Sequence, residues 1–302
     1  MRTTFPTHSN DTMKKILIAD AGSTKTDWIL VSPEEGASNA KRHTTTGINA
    51  AITPDADISS VIESIRSLEG WNGNDIEEVH FYGAGCVGDD INARIRLKLD
   101  SAWPGAEIDI QSDLLGAARA LHDKEPGGAC ILGTGSNSGM YDGKQIVANV
   151  PSLGFILGDE GSGTALGKRL LADVYKKELP SQVREMFLEH LGMTLPEVID
   201  QVYRRPSPNK FLASFVPFIK ENIWNPYLYA LVLKEMTSFI KRNVAKYENA
   251  RRLPIGFVGS IAWYFKDQLI DATDACGFKA GKIIKSPADA LAAHHAGSSL
   301  QS

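Results

Sequence analysis

The chain has 302 residues, which is enough for two domains of ordinary size, each with its own hydrophobic core. Hydrophobic residues make up 43% and charged residues 23%, as in a globular protein, and no long apolar run predicts a membrane span. The formal net charge of −4 gives no electrostatic reason to expect nucleic acid or an anionic membrane as a partner.

The N-terminal residues and the spacing of the cysteines indicate in which cellular compartment the protein works. The first twelve residues, MRTTFPTHSNDT, lack the apolar stretch of a secretory signal. We interpret residues 1–12 as a disordered leader, with Met13 as a second candidate start. Cys86, Cys130 and Cys276 lie far apart, are odd in number and have no CxxC spacing. This usage argues for a reducing compartment and against a zinc or iron–sulfur site within one chain, and it predicts a cytoplasmic protein.

The first half of the chain alternates short apolar runs with turns and amphipathic segments. KKILIAD (14–20) is a buried-strand pattern, TDWILVS (26–32) predicts a second strand, and a third is predicted near residues 37–46. An amphipathic helix follows at residues 55–70. A strand, a helix and a strand then lead into the helix LLGAARALHD (114–123).

From residue 127 the same order of elements starts again, with a long helical insertion at about 181–252 that is punctuated by prolines. Both halves therefore read as three strands, helix, strand, helix, strand, helix. The order of elements repeats, whereas the residues themselves do not. A duplicated α/β unit places a cleft between its halves, where strand ends and helix N-termini meet a ligand.

Two turns rich in Gly, Ser and Thr follow a strand, one in each half. In IADAGSTKTDWIL (18–30) the strand ends at Asp20 and the turn exposes backbone N–H groups, and LGTGSNSGMYDG (132–143) has the same layout. Such turns bind phosphate oxygens, although neither is a Walker A or a dinucleotide sequence. One such turn is more often an ordinary hairpin, but one in each half favours a phosphate site. Asp20 could hold Mg²⁺ through water.

Three further stretches carry candidate chemistry. In IQSDLLGAARAL (110–121), Asp113 opens a helix, where it is either an ordinary N-cap or a general base. LPIGFVGSIAW (253–263) is a strand–Gly–Ser–helix junction, which is either a simple turn or a place for a flat base. GFILGDEGSGTAL (154–166) holds an acidic pair between glycines, which suits proton transfer, a metal or neither.

Taken in order, these segments resemble the sugar-kinase/actin/Hsp70 ATPase superfamily. DAGSTKTD (20–27) is similar to its first phosphate motif, GTGSN (133–137) to its second and GFVGSIAW (256–263) to its adenosine motif. GDEGSG (158–163) resembles the branch that holds N-acetylglucosamine kinases and the BadF/BadG/BcrA/BcrD ATPases. The resemblance runs from Met13 to about Gly297 and is weakest in the insertion.

The resemblance implies an α/β fold of two ribonuclease H-like domains, the actin-like ATPase fold, around a central cleft. The N-terminal domain is expected at residues 13–124 and the C-terminal domain at 125–285, with the helical insertion at about 181–252. The C-terminal helix, 286–298, can join the first domain. Two domains of this kind are expected to close on their ligands.

The resemblance also implies ATP- and Mg²⁺-dependent transfer of phosphate to a sugar hydroxyl, and it assigns residues to that reaction. Asp113 falls on the general base, which also contacts the sugar, and Asp20 falls where Mg²⁺ is positioned. The residues that fall on the nucleotide are Gly22, Ser23, Thr24, Lys25, Thr134, Gly135, Ser136, Gly259 and Ser260. Those that fall on the sugar are Asn49, Gly85, Gly154, Asp159 and, as a weaker supporting ligand, Glu160.

The substrate stays open at this point. Mammalian-type N-acetylglucosamine kinases have a Trp-Gly pair ahead of GDEG, whereas here the pair is Leu153-Gly154. N-acetylglucosamine at O6 is the first expectation, with glucosamine and N-acetylmuramic acid as alternatives. The zinc-binding cysteine cluster of ROK-type sugar kinases is absent from the sequence, which disfavours that branch.

Two other classes of function are also considered. A BadF-like ATPase activator of an electron-transfer enzyme would need cysteines for a cluster at a dimer interface, and a catalytically idle sugar sensor would not need Asp20 and Asp113. The kinase is therefore the favoured hypothesis, and a homodimer through the helical insertion is expected.

Overall fold

Two five-stranded sheets, one from each half of the chain, form the frame of the protein in a computed structural model that describes residues 14–73 and 75–297. The first sheet consists of β1 (Lys15–Ala21), β2 (Lys25–Val31), β3 (Lys41–Thr46), β4 (Ile76–Gly83) and β5 (Glu107–Ser112). Its helices are α1 (Asp55–Arg66), α2 (Asp89–Ala102) and α3 (Asp113–His122). The predicted leader 1–12, Met13 and residue 298 of the last predicted helix lie outside the described residues.

The first sheet has the order β3-β2-β1-β4-β5. Strands β1, β4 and β5 are parallel, and their register aligns Ala21 with Gly83 and Gly83 with Ser112. The carboxyl ends of parallel strands meet at one edge of a sheet, which is where open α/β sheets bind ligands. Asp20 and Asp113 therefore come to the same edge.

The second sheet repeats this plan. It consists of β6 (Gly127–Leu132), β7 (Ser136–Tyr141), β8 (Ile146–Val150), β9 (Ile255–Val258) and β10 (Ala280–Ile284). Its order, β8-β7-β6-β9-β10, matches that of the first sheet strand for strand, with β6, β9 and β10 parallel. The duplicated α/β fold predicted from the sequence is confirmed.

The helices of the second half begin with α4 (Gly154–Leu157) and α5 (Gly163–Tyr175). The region of the predicted insertion is helical throughout: α6 (Ser181–Leu191), α7 (Leu195–Tyr203), α8 (Pro208–Ala213), α9 (Val216–Glu221) and α10 (Pro226–Arg242). The last helices are α11 (Ser260–Tyr264), α12 (Lys266–Ala275) and α13 (Ala288–His295). Every helix in the described part of the chain falls short of the length and hydrophobicity that a bilayer crossing requires.

Two helices each pack against the sheet that the other half of the chain forms. Helix α3, from the first half, packs Leu114 and Leu121 into an apolar cluster with Val258 of the second sheet. Helix α13, at the end of the chain, packs Leu291 against Ile18 of the first sheet. Each sheet is thus covered in part by a helix from the other half of the sequence, which ties the two halves together. The predicted domain limits remain a prediction.

Candidate active site between the two sheets

The turn between β1 and β2 lies at the carboxyl edge of the first sheet and is held by a neighbouring loop. Gly22 N donates to Lys25 O at 3.0 Å, and Gly47 N donates to Thr24 O at 3.1 Å. A Cβ atom on Gly47 would lie 2.4 Å from the Gly22 carbonyl oxygen, so only glycine permits this approach. The ammonium group of Lys25 forms an ion pair with Asp27.

The turn between β6 and β7 occupies the equivalent place in the second sheet, and the two turns meet. Gly133 N donates to Gly135 O at 3.0 Å and closes the second turn. The hydroxyl oxygens of Thr24 and Thr134 lie 3.1 Å apart across the cleft. A polyphosphate placed there could contact backbone N–H groups from both halves of the chain.

The carboxylates of Asp20 and Asp113 are partly buried and close enough to influence each other. Loss of hydration raises the pKa of Asp113 from 3.8 to about 6, although a hydrogen bond with the Leu114 backbone opposes the rise. Loss of hydration, together with the charges of Asp27 and Asp113, raises the pKa of Asp20 to about 7. At neutral pH Asp113 is mostly ionised, as a general base must be, whereas Asp20 is only about half ionised, and a cation beside it would favour its anionic form.

Asp113 is the first residue of α3, but it is not the N-cap. That position belongs to Ser112, whose Oγ accepts a hydrogen bond from Leu115 N at 3.2 Å. The alternative in which Asp113 serves only as an N-cap is therefore wrong, because the neighbouring serine has that role.

Asn49 and Gly85, both predicted at the sugar, lie against each other beside the first turn. Asn49 Nδ2 donates to Ser23 Oγ at 3.0 Å, and Asn49 Oδ1 accepts from Ala51 N at 3.1 Å. A Cβ atom on Gly85, which has a φ of +76°, would lie 2.4 Å from Asn49 Oδ1. The Asn49 amide therefore links the loop after β3 to the first turn.

The acidic pair of GDEGSG is divided between two partners. Asp159 is 9% exposed, and its Oδ1 accepts a hydrogen bond from Ser136 N at 3.1 Å in the second turn. Glu160 forms an ion pair with Arg242 at the end of α10. The structure thus brings Asp159 to the second turn and places Glu160 against the insertion. Gly154 begins α4, where a Cβ atom would meet open space.

A cavity of about 310 Å³ opens beside the second turn. Its wall includes Thr134, Ser260 and Tyr264, together with Ala213 and Lys220 from the insertion. The neighbouring Gly259 has a φ of +124°, and a Cβ atom there would lie 2.2 Å from the Leu132 carbonyl oxygen. The strand–Gly–Ser–helix junction therefore forms one side of a cavity that continues from the second turn.

The chain is similar over almost its whole length to a solved structure, the "putative N-acetylglucosamine kinase" of Porphyromonas gingivalis. The two chains are 39% identical, the match covers 93% of this chain and 99% of the other, and the TM-score is 0.88. The chain belongs to this family of sugar kinases. No protein-family model matches the chain, and no curated protein matches it.

Two more distant structures share the sugar-kinase fold. The "putative N-acetylglucosamine kinase" of Chromobacterium violaceum is 16% identical, with a TM-score of 0.72 over 94% of this chain and 99% of the other. The hexokinase of Schistosoma mansoni, solved in complex with glucose, is 15% identical, with a TM-score of 0.53 over 94% of this chain and 86% of the other. These two matches support the fold alone.

The donor set of this sugar-kinase cleft fits a magnesium ion that arrives with a nucleotide. No group of three or more His, Cys, Asp or Glu side chains is arranged to hold a metal ion in residues 14–73 and 75–297. Mg²⁺ in nucleotide sites needs only one or two carboxylates, because phosphate oxygens and waters complete its shell. Asp20, beside the first turn, is suited to that role.

Sequence reasoning missed the far wall of the cavity. Lys220 Nζ lies 4.1 Å from the centroid of the Tyr264 ring, and Ala213 lines the same space from α8. Tyr264 follows Ser260 by four residues on a helix, so helical periodicity could have placed it on the same face. Nothing comparable in the sequence identifies Ala213 or Lys220, because only the packing of the insertion brings them to the turn.

Proposed function

We propose that the protein is an ATP-dependent kinase that phosphorylates an amino sugar, with O6 of N-acetylglucosamine as the first assignment. The observation that carries the proposal is the meeting of two phosphate-type turns, at Thr24 and Thr134, near the raised-pKa carboxylate of Asp113. The 39% identity to the Porphyromonas gingivalis protein supports the amino sugar as acceptor.

In the proposed reaction, Asp113 accepts the proton of the sugar hydroxyl while the hydroxyl oxygen forms a bond to the γ-phosphorus of ATP. The bond between that phosphorus and the β–γ bridging oxygen breaks, and ADP leaves. Backbone N–H groups of the two turns bind and orient the phosphates, and Asp20 would hold the Mg²⁺ of MgATP, which would offset the phosphate charge. Exclusion of water from the cleft prevents its competition with the sugar.

The nucleotide is proposed to extend from the turns into the cavity beside Thr134. Apolar and aromatic groups with a few polar ones line that space, as is usual for small-molecule sites. Gly259 and Ser260 are then placed at adenine or ribose, and Asn49, Gly85, Gly154 and Asp159 at the sugar.

The proposed activity is tested by a coupled ADP-release assay over a panel of sugars. N-acetylglucosamine, glucosamine and N-acetylmuramic acid are compared with glucose, each with and without MgATP. We expect the highest kcat/KM with N-acetylglucosamine, and phosphorus NMR of the product identifies the phosphorylated oxygen. Absence of ADP release with every amino sugar would contradict the kinase.

The cavity gives a separate prediction. Ala213→Trp fills the space beside the second turn, so the KM for ATP is expected to rise about tenfold or more, which corresponds to at least about 1.4 kcal/mol of lost binding. The KM for the sugar should stay unchanged, because Ala213 lies on the insertion side. Initial rates measured at varied ATP check this, with Ala213→Ser as the matched small variant. A rise in the sugar KM alone would show that the cavity does not take the nucleotide.

The presence of Leu153, where mammalian-type N-acetylglucosamine kinases have tryptophan, is the reason for testing the alternative amino sugars. Leu153 is 62% exposed in the position that precedes GDEG, with Ile156 and Leu157 also exposed nearby. An aliphatic group at this point offers a narrower apolar wall than an indole ring. N-acetylmuramic acid and glucosamine, which differ from N-acetylglucosamine at O3 and at the amine, are therefore in the panel.

The environment of the cysteines does not favour an ATPase activator with a shared cluster. Cys86 and Cys130 are buried and Cys276 is half-buried. Loss of hydration raises the pKa of Cys86 to about 12, so its thiol does not readily form the thiolate that binds a cluster. The kinase is the better-supported function. Because its second substrate is ATP, we propose that it works in the cytoplasm.

The homodimer is proposed to form through the insertion. Leu195, Ile199 and Tyr203 follow one another on successive turns of α7 and are 47%, 46% and 77% exposed. Such a row is self-complementary when two copies of the helix pack antiparallel about a two-fold axis. Sedimentation velocity is expected to show a dimer that Ile199→Glu converts to a monomer; an unchanged wild-type-like dimer in that variant would exclude this surface.

A further inference from the structure

The segment GDEGSG (158–163) and the second turn are joined on both sides by hydrogen bonds. Asp159 Oδ1 accepts from Ser136 N at 3.1 Å. Just beyond the segment, Thr164 N and Thr164 Oγ1 both donate to the Thr134 carbonyl oxygen, at 3.1 and 2.6 Å. The proposed sugar-binding segment and the proposed phosphate-binding turn are therefore in direct mechanical contact.

The carboxylate of Asp159 lies against the turn much as a bound anion would. A Cβ atom on Gly135 would be 3.1 Å from Asp159 Oδ2 and 3.2 Å from Oδ1. An anion on the backbone N–H groups of a glycine-rich turn is the arrangement by which such turns bind phosphate. The backbone of Asp159 has a φ of +60°, which costs energy in a residue other than glycine, so surrounding contacts hold the side chain there.

We infer that Asp159 couples the two substrate sites: without sugar its carboxylate holds the Ser136 N–H, and sugar binding draws the carboxylate away and leaves that N–H to a phosphate oxygen. This inference rests on the proposed function, which gives Asp159 a sugar hydroxyl as its second partner. It follows that nucleotide binds more tightly after sugar, and that ATP is poorly hydrolysed when sugar is absent. Because coupling is reciprocal, nucleotide tightens sugar binding by the same factor.

The test is calorimetric titration of the full chain with MgADP, with and without saturating N-acetylglucosamine. For the wild type we expect MgADP to bind about tenfold more tightly with sugar. A phosphate oxygen then gains the hydrogen bond from Ser136 N–H, and the negative charge of Asp159 has moved away from it. Asp159→Ala is expected to bind MgADP about tenfold more tightly than the wild type without sugar, and to show no further gain when sugar is added.

Two control variants separate this coupling from a general effect of charge. Asp159→Asn keeps the shape and an acceptor for the Ser136 N–H but not the charge, so it should fold normally and gain affinity by only about threefold. Glu160→Gln removes a neighbouring charge that is paired with Arg242 at the end of α10. If Glu160→Gln tightens MgADP as much as Asp159→Ala does, the effect is general electrostatics and the inference is overturned.

The sugar-free titrations do not depend on the proposed kinase. Unchanged MgADP affinity in both Asp159 variants overturns the inference even if the sugar panel shows kinase activity. Asp159→Ala could bind MgADP more tightly while the wild type shows no sugar-dependent ADP release. That result would support the role of the Asp159 carboxylate in occupying the Ser136 N–H, and it would reject the proposed function.

Discussion

Replacing Asp113 by asparagine is expected to lower kcat for phosphate transfer by about 10²–10⁴-fold, the usual contribution of a general base. The KM values for ATP and sugar should change little, since asparagine keeps the shape and the hydrogen-bonding oxygen. The coupled ADP-release assay measures both constants. Asp57→Asn, the same change on the exposed first turn of α1, is the matched control and should behave as the wild type. Near-normal turnover by Asp113→Asn would show that Asp113 is not the general base.

The pH dependence gives a second signature of the same role. Because Asp113 must be ionised to accept a proton and its pKa is raised to about 6, kcat/KM of the wild type should fall about tenfold per pH unit below pH 6. A carboxylate of ordinary pKa would hold nearly full activity down to about pH 5. At Mg²⁺ concentrations that saturate Asp20, whose own pKa is about 7, the residual activity of Asp113→Asn should lack this acid limb.

Stability measurements show whether the variant is folded and test the origin of the raised pKa. Folding raises the pKa of Asp113 from 3.8 to about 6, so the folded state binds this proton more tightly than the unfolded chain does. The resulting stabilisation is complete below pH 3.8 and is lost as the pH rises through 6. Asparagine avoids that loss, so at pH 8 the Tm of Asp113→Asn is expected to exceed that of the wild type by about 2–4 °C.

Replacing Asp20 by asparagine is expected to lower kcat by about 10²-fold and to weaken activation by Mg²⁺, because the metal loses its carboxylate partner. In the wild type, proton and metal compete for Asp20, whose pKa is about 7. The Mg²⁺ concentration for half-maximal rate should therefore rise as the pH falls from 8 to 6, and Asp20→Asn should not show this rise. Initial rates over a grid of pH and Mg²⁺ measure both effects.

Asp27 offers a matched control for that prediction. Its charge is one of the causes that raise the pKa of Asp20, and it does so from a position held by Lys25 and by Thr44 Oγ1, which donates to Asp27 Oδ1 at 2.8 Å. Asp27→Asn should lower the pKa of Asp20 and shift the Mg²⁺ dependence to more acidic pH while retaining the metal. Equal Mg²⁺ activation of the wild type and of Asp20→Asn would show that Asp20 does not hold the metal.

Much of the frame could be predicted because it depends on local pattern. The apolar runs and the intervening turns determine which segments become strands, and the repeated order of elements predicts the duplication. The two glycine-rich turns follow the first strand of each sheet, at Gly22 and Gly133, so their convergence follows from the fold itself. Parallel pairing of the strands then explains why Asp20 and Asp113 share one edge.

The remaining features depend on contacts between distant parts of the chain. The first turn carries a lysine that phosphate binding would use, yet Lys25 forms an ion pair two residues away with Asp27. The acidic pair Asp159-Glu160 reads as one feature, but backbone direction sends one side chain to the second turn and the other to Arg242. The partner of each of these side chains depends on which distant segments pack together in the fold, and the local sequence pattern does not show that.

The position of α13 has a consequence for how the protein is made. This helix is the last described element of the chain, and its Leu291 covers a face of the first sheet that includes Ile16, Ile18 and Ile29. When all five strands of that sheet have been synthesised, the part of this face that α13 covers stays exposed until residues 288–295 emerge, although Ala120 of α3 already packs beside it. Packing of this face is therefore completed late in synthesis, and nascent chains halted before residue 288 are expected to be cut more readily by protease within β1 and β2 than the full chain is.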